Sequence, residues 1–271
     1  MSGLQRQDLI LFSDQSVISS QLCDGNSNDM ILVTHTAATL PTWLVNALVE
    51  TKVLGAPFSL KTDSTPSSNA QKSSRNDPLI TIASFVHNAD YFDKNLSKLK
   101  IGKNDYKMVD LFTDFVVNNI GKPKDKIISD ILGSFLVDTG STIVLEQPEI
   151  LLSLIEGLTS DELSLWFITP LMKKCGLLIV VTSTELYFNN TPYESTQDKN
   201  ILDHSRFTAA CTYKSLAVLN LKPLETGRAK DVTGTLRITR GGAHDSHPNI
   251  HVVENEFLYL TQKDSTKLFY R

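Results

Sequence analysis

The sequence predicts an α/β fold in which helices flank a mixed, mainly parallel sheet, with antiparallel strands at the C-terminal end. Apolar runs without alternation, at residues 30–33, 142–145 and 176–182, are typical of strands buried on both faces of a sheet. Helical patterns separate these runs. Beyond residue 215, short strand patterns follow one another through polar turns with no helix between them, which favours antiparallel pairing.

The first half of the chain alternates strand and helix patterns. They predict strands at residues 9–12, 30–33, 79–86 and 106–111 and helices at residues 41–54, 91–99, 112–118 and 124–136. The helix at 41–54 has apolar residues at helical spacing and Gly55 as its stop. The helix at 124–136 carries one wide apolar stripe, so we expect it to pack on the sheet.

The second half begins with the central strand at residues 142–145. After it the patterns predict helices at 150–158, 159–168 and 169–174, a strand at 176–182, a long polar loop at 184–206, and strands at 216–221, 235–239, 250–253, 257–260 and 268–270. Thr159 and Glu162 have the spacing of a capping box. Thr169 followed by Pro170 favours a new helix start.

We expect one domain spanning residues 1–271, because no repeat or linker divides these patterns. Residues 61–77 contain almost no apolar side chains and many serines, which predicts a disordered insertion loop. Strand and helix patterns of the same kind resume beyond it. The insertion is therefore expected to lie within the domain.

The composition, with 41% hydrophobic and 21% charged residues among 271, is that of a globular protein. A net charge of −4 disfavours a generally basic nucleic-acid-binding protein but leaves a local basic patch open. Three scattered cysteines and no secretory signal predict a reducing compartment, the cytoplasm or also the nucleus. The longest apolar run, residues 177–181, is too short for a bilayer, so no membrane association is expected.

The loop after the strand at 30–33 is the first candidate site. Strand, loop and helix give the context of a G-x-x-x-x-G-K-[ST] phosphate loop, yet of its fixed positions only Thr42 fits. His35 and Leu40 stand where glycines are needed, and Pro41 stands where the lysine is needed. Proline supplies neither an amide hydrogen nor a positive charge. The sequence thus predicts a degenerate loop without nucleotide hydrolysis; the alternative is an active ATPase with an unorthodox phosphate site.

Glu146 follows the central strand, at the sheet edge where α/β proteins bind ligands. An apolar strand ending in an acid resembles the second motif of nucleotide triphosphatases. Alone it is a weak signal, because any buried strand that ends near solvent can show it. We therefore interpret Glu146 either as a relic of such a site or as a cap for the helix that follows.

Two other strings are weaker candidates. Residues 138–141 read Asp-Thr-Gly-Ser, the aspartic-protease string, but that chemistry needs two such carboxylates and the chain has no second copy. We interpret it as a helix end turning into the central strand. His244, His247 and His251 have no cysteine or acid partners in sequence that would suggest zinc, so loop histidines are favoured. We predict no catalytic residues, no metal and no cofactor.

Basic residues are frequent near the C-terminal strands. They are Lys222, Arg228, Lys230, Arg237 and Arg240, with Lys199 and Arg206 in the preceding polar stretch. A solvated face of mixed charge and a surface that contacts RNA phosphates or an acidic partner both fit this pattern.

A family resemblance extends over nearly the whole chain. It is carried by residues 6–16, 46–51, 146–149, 167–171, 229–236, 240–243, 251–257 and 265–271. In these segments the sequence resembles the sixth subunits of the fungal Elongator complex. The resemblance is weakest in the serine-rich insertion and at residues 184–206.

The resemblance implies a RecA-like ATPase fold with degenerate Walker motifs. It implies a hetero-hexameric ring with the fourth and fifth Elongator subunits, which joins the rest of the complex, binds tRNA and supports modification of the wobble uridine. The modification chemistry belongs to another subunit. In such rings the loop at 184–206 tends to face the pore, so Lys199 and Arg206, with Arg228 and Lys230, are expected to contact RNA.

Overall fold

The structure is a computed structural model that describes residues 5–23, 28–60, 80–188, 198–227, 229–244, 249–263 and 265–270. The predicted insertion at 61–77 lies outside the described residues, as do Arg228 and His247. Within the described part of the chain, no helix is both long and apolar enough to cross a bilayer.

The described strands form one ten-stranded mixed sheet. They are β1 (Arg6–Gln7), β2 (Asp29–His35), β3 (Ile80–Ser84), β4 (Tyr106–Asp110), β5 (Asp138–Glu146), β6 (Cys175–Ser183), β7 (Ala217–Lys222), β8 (Gly234–Arg240), β9 (Asn255–Thr261) and β10 (Thr266–Tyr270). Their order across the sheet is β1-β10-β9-β8-β7-β2-β6-β5-β3-β4. The predicted fold class is therefore confirmed.

The α-helices connect and cover these strands. They are α1 (Thr42–Leu54), α2 (Ala89–Lys98), α3 (Phe115–Asn119), α4 (Lys124–Gly133), α5 (Leu151–Leu154), α6 (Ser160–Leu163), α7 (Thr169–Met172), α8 (Glu185–Phe188) and α9 (Lys199–Lys214). Gly55 ends α1 with a φ of 84°, the left-handed conformation that glycine adopts without strain.

The parallel half of the sheet contains the strands that the apolar runs predict. β2 pairs in parallel with β6 and β7, and β5 pairs in parallel with β3 and β6. Every residue of β2 is buried. Alternate side chains enter two separate cores: Ile31 and Val33 on the face covered by α1, and Met30 and Leu32 on the opposite face. Burial on both faces explains why the run shows no alternation.

Two predicted strands are absent from the described residues. At 9–12 and 250–253 the structure has a single bridge between Phe12 and Val252, because the segment near Phe12 turns back on itself. The prediction of antiparallel pairing is correct for β8, β9 and β10 but incomplete for β7. β7 is antiparallel to β8 and parallel to β2, so it joins the two halves of the sheet.

The helices after β5 differ most from the prediction. A 3-10 turn, Pro148–Ile150, leads into α5, which ends at Leu154 rather than at residue 158. The capping box is confirmed, since Glu162 N and Thr159 Oγ1 lie 3.2 Å apart and Thr159 N donates back to Glu162 Oε2. α7 begins at Thr169 as predicted, but the helix is not interrupted before it. A π-helical segment, Ser164–Ile168, continues the helix, because a wider turn accommodates the proline ring and its missing amide.

The helix predicted at 124–136 is shorter in the structure. α4 ends at Gly133, and of the last two residues in the predicted stripe Phe135 is buried whereas Leu136 is exposed. The chain has already left the helix there, so helical spacing no longer determines which side chain faces the core.

Candidate functional site

The loop that joins β2 to α1 is held by bonds among its own side chains and by β7. The amide of Thr36 donates to Thr39 Oγ1 at 3.2 Å, and the two hydroxyl oxygens lie 3.0 Å apart. Thr39 Oγ1 also donates to the carbonyl oxygen of Leu221, at 3.2 Å. These amide and hydroxyl groups form hydrogen bonds within the protein, whereas a phosphate-binding loop directs its amides toward the ligand.

A carboxylate from α8 accepts another amide of the same loop. Ala37 N donates to Glu185 Oε2 at 2.8 Å. The neighbouring Thr184 donates with its amide and its hydroxyl to the carbonyl oxygen of His35, at 2.8 and 3.0 Å. An anion that approached the amide of Ala37 would have to displace a carboxylate belonging to the same chain.

The predicted loop residues lie in different surroundings. His35 is buried, and the loss of hydration lowers the pKa of its imidazole, which favours the neutral ring. Leu40 is 64% exposed. The carbonyl oxygen of Pro41 accepts the amides of two residues in the first turn of α1, both at 2.9 Å. Thr42 Oγ1 lies 2.8 Å from the hydroxyl oxygen of Tyr91.

Glu146 stands at the end of β5 and is only 6% exposed. Its Oε2 accepts from Ser84 Oγ at 2.5 Å and lies 2.9 Å from His87 Nδ1. The His87 ring stacks on Tyr91 with centroids 3.7 Å apart, and burial raises the pKa of Tyr91. The predicted strand-end position is correct. The expected helix cap is wrong, because both partners belong to β3 and the segment after it.

A second acid, Glu149, reaches the end of β6. Its Oε1 accepts from Ser183 N at 2.7 Å, and the side chain is almost fully buried. Burial raises the pKa of Glu149 to about 7, and the charge of Glu146 adds to that rise. The backbone between the acids turns at Gln147, whose φ is 53°. Glu149 therefore connects the turn after β5 to the strand that leads into α8.

The predicted loop at 184–206 is wrong in the structure. α8 and α9 occupy its described parts, with Asp198 capping α9 through Asn200 N at 2.8 Å. Lys199 and Arg206 are exposed on α9, seven residues apart and thus on one side of the helix. Lys230 is exposed in the turn between β7 and β8. The structure brings Lys199 and Arg206 to one surface, but no described contact joins Lys230 to them.

The two weaker candidates gain no support. Asp138 begins β5, and its Oδ1 accepts the amide of Gly140 at 3.0 Å, so the string forms a strand start rather than the predicted helix end. The rings of His244 and His251 lie 5.8 Å apart. Among the described residues, no group of three His, Cys, Asp or Glu side chains is arranged to hold a metal ion.

The sequence patterns did not point to Ser84, Glu149 or Glu185 as partners in the site. The partner of Glu185 lies 148 positions away, and that of Glu146 lies 62 positions away. Ser84 lay near the end of the strand predicted at 79–86, and parallel strand ends meet at one sheet edge, so its position alone carried a signal. The other two contacts depend on how turns and short helices aim their side chains.

Comparisons with known proteins agree with this architecture. No family model matches the chain. The sequence is 48% identical over 280 aligned positions to Elongator complex protein 6 of Saccharomyces cerevisiae, and the match covers both chains completely. The structure resembles the flagellar accessory protein FlaH from Methanocaldococcus jannaschii, with a TM-score of 0.53 and 12% identity over 99% of this chain and all of FlaH. The likeness to FlaH shows a RecA-like fold, and the identity to the yeast protein shows that this chain belongs to the Elongator complex protein 6 family.

Proposed function

We propose that this chain is a non-catalytic subunit of the Elongator complex. In this proposal it forms a hetero-hexameric ring with the fourth and fifth subunits, binds tRNA, and supports wobble-uridine modification by another subunit. The observation that carries the proposal is the 48% identity along the whole chain to the yeast Elongator protein. The match covers both chains from end to end, so it is not confined to one shared segment.

The loop geometry supports a role without ATP hydrolysis. Glycine is missing at His35 and Leu40 and lysine is missing at Pro41, so the loop offers neither close backbone approach nor an ammonium group. The amide of Ala37 already donates to Glu185. The buried acid Glu146, bonded to Ser84, is the feature that favours the alternative, an active ATPase with an unorthodox phosphate site.

Assembly is tested by co-expressing the chain with the fourth and fifth Elongator subunits. Native mass spectrometry is expected to give a hexamer with two copies of each subunit. A chain that stays monomeric in the presence of both partners would overturn the ring. A matched control replaces this chain with the FlaH protein, which shares the fold at only 12% identity and is expected to stay outside the assembly.

Hydrolysis is tested by titrating the isolated chain with ATP and following phosphate release. We expect no saturable binding and no turnover. Turnover that is abolished by Glu146→Gln would support the alternative instead, because that substitution removes the carboxylate charge and keeps the size of the side chain.

The RNA contact is tested with the assembled ring. The double variant Lys199→Ala, Arg206→Ala is expected to lower tRNA affinity and to reduce the slope of log affinity against log salt by about 2, one for each lost phosphate contact. Lys94→Ala, which removes an exposed lysine on α2, is the matched control. Unchanged affinity and slope in the double variant would reject these residues as RNA contacts.

A further inference from the structure

Four large apolar side chains are exposed within nine residues at α3. Phe112, Val116, Val117 and Ile120 are between 52% and 75% exposed. Such clusters are unusual on a free surface, because apolar area in contact with water favours association. Val116 and Ile120 are one helical turn apart, since Ile120 N donates to the carbonyl oxygen of Val116 at 3.1 Å. They therefore present one continuous apolar edge.

This edge forms one wall of a groove of about 710 Å³ between α3 and α5. Leu154, 48% exposed, stands on the opposite side, and the buried side chains of Ile127 and Ile155 form its floor. The volume lies within the range of grooves that bind ligands or the side chains of a docked segment. We call this the α3 groove.

The α3 groove continues toward the π-helical segment. Lys124 lines it, and the Lys124 ammonium lies 5.5 Å from the centre of the Trp166 ring. Trp166 is 36% exposed. A partly exposed tryptophan ring beside a lysine of the groove extends the apolar area that a partner would cover.

The charge around the α3 groove is negative. Its lysines are already paired, Lys124 with Glu162 at 2.7 Å and Lys122 with Asp130 at 3.0 Å, a carboxylate that also pairs with Lys126 at 2.9 Å. Glu156 lines the groove, and Asp114 and Asp125 adjoin residues that line it. All three of these acids are exposed, and no described lysine, arginine or histidine lies within 4 Å of their carboxylates.

We propose that the α3 groove binds an amphipathic helix of a partner protein, whose apolar side chains enter the groove and whose flanking lysines or arginines meet these carboxylates. Apolar anchors at helical spacing are the usual way in which a helix occupies such a groove. The exposed acids supply electrostatic complementarity to a basic segment and would repel nucleic-acid phosphates. This surface is separate from the candidate site at the β2–α1 loop and is proposed independently of the RNA contact.

A second copy of this chain is a poorer occupant. In a two-fold dimer the same patch faces itself, so Glu156 and its neighbouring acids would meet their own copies. Like charges brought together at an interface oppose association. The expected partner therefore differs from this chain and carries the opposite charge.

The test uses the full chain and an 18-residue fluorescein-labelled helical peptide with leucines on one face and lysines beside them. Fluorescence anisotropy is expected to give micromolar binding. A matched peptide with glutamates in place of the lysines is expected to bind at least tenfold more weakly. Failure of the lysine peptide to bind, or equal binding of both peptides, would overturn the proposal.

Substitutions of exposed residues that the fold does not need test whether the peptide binds in the α3 groove. Ile120→Ser is expected to weaken peptide binding at least tenfold, and Glu156→Gln is expected to weaken it severalfold and reduce its salt dependence. Tyr270→Ser removes a similarly exposed apolar side chain at the far end of the sheet and is expected to change nothing. Equal losses in Ile120→Ser and Tyr270→Ser would contradict this location. A dimer mass for the wild type that Ile120→Ser returns to monomer would assign the groove to a second copy and overturn the proposal.

Discussion

The β2–α1 loop and the end of β5 lie at the same edge of the sheet, but they differ in the burial and the hydrogen-bond partners of their polar groups. In the loop, Leu40 and Ala37 face solvent, and one amide is satisfied by the exposed Glu185. At the end of β5, Glu146 is buried and depends on Ser84 and His87. A buried carboxylate without partners is costly, whereas an exposed loop group can turn to water.

On the proposal that this is a degenerate nucleotide site, the difference gives a physical reason for the loss of the loop and the retention of the acid. At the exposed loop positions Ala37 and Leu40 a substitution removes few contacts, so the fold tolerates it, whereas Thr36 and Thr39 are buried and bonded within the protein. Removing Glu146 would leave the fully buried hydroxyl of Ser84 without its acceptor. The acid therefore has a structural role that does not require a nucleotide.

Glu146→Ala is expected to have the largest effect and tests directly whether the buried acid stabilises the fold. We expect the free energy of unfolding to fall by about 3 kcal/mol, because Ser84 and His87 lose the carboxylate to which they are hydrogen-bonded. Urea denaturation of the isolated chain measures the change. Glu225→Ala, at an exposed turn, is the control and is expected to stay within about 0.5 kcal/mol of the wild type. A similar, small effect of both substitutions would show that Glu146 is not needed for stability.

The contribution of Glu149 to the free energy of unfolding is expected to depend on pH, which gives a second test of the comparison. Its folded-state pKa is about 7, above its ordinary value of 4.5, so the folded chain holds a proton that the unfolded chain releases between these values. Its contribution to stability is fully present below pH 4.5 and is lost as the pH rises through about 7. From pH 5 to pH 8 we expect this group to lower the free energy of unfolding by about 2 kcal/mol.

Urea denaturation of the wild type and of Glu149→Gln across this pH range checks the expectation. The variant cannot titrate at this position, so its stability relative to the wild type is expected to increase from pH 5 to pH 8. A constant difference between the two proteins would show that Glu149 is ionised in the folded state throughout.

The sequence predicted the parts of this molecule whose pattern is local. Apolar runs such as residues 30–33 identified buried strands, because a strand covered on both faces has no polar positions. The Thr159 and Glu162 capping box was readable because its two residues lie three positions apart. The degenerate phosphate loop at His35 to Thr42 also rests on local pattern, the residue types at fixed positions, and stays a prediction.

The parts that could not be predicted depend on distant contacts. α9 was missed because polar and charged residues obscure the buried Phe207 and Cys211, which lie one turn apart. The partners of Glu146 and Glu149 come from neighbouring strands, and the order of strands in the sheet cannot be predicted from any single segment of the sequence. Side-chain contacts at the sheet edge therefore became visible only when β3, β5 and β6 were placed side by side.

The smallest expected effect comes from the loop itself, through Glu185→Ala. Loss of the Ala37–Glu185 bond, at an exposed site, is expected to cost about 1 kcal/mol locally, so the Ala37 amide should exchange hydrogen about fivefold faster. Nuclear magnetic resonance measures this amide directly, and Glu185→Gln, whose side-chain oxygen can still accept, should retain most of the protection. ATP should remain unbound in Glu185→Ala, because His35, Leu40 and Pro41 are unchanged. If this single substitution allowed ATP to bind, the carboxylate and not the loop sequence would be what blocks the site, and the proposal that His35, Leu40 and Pro41 exclude the nucleotide would be wrong.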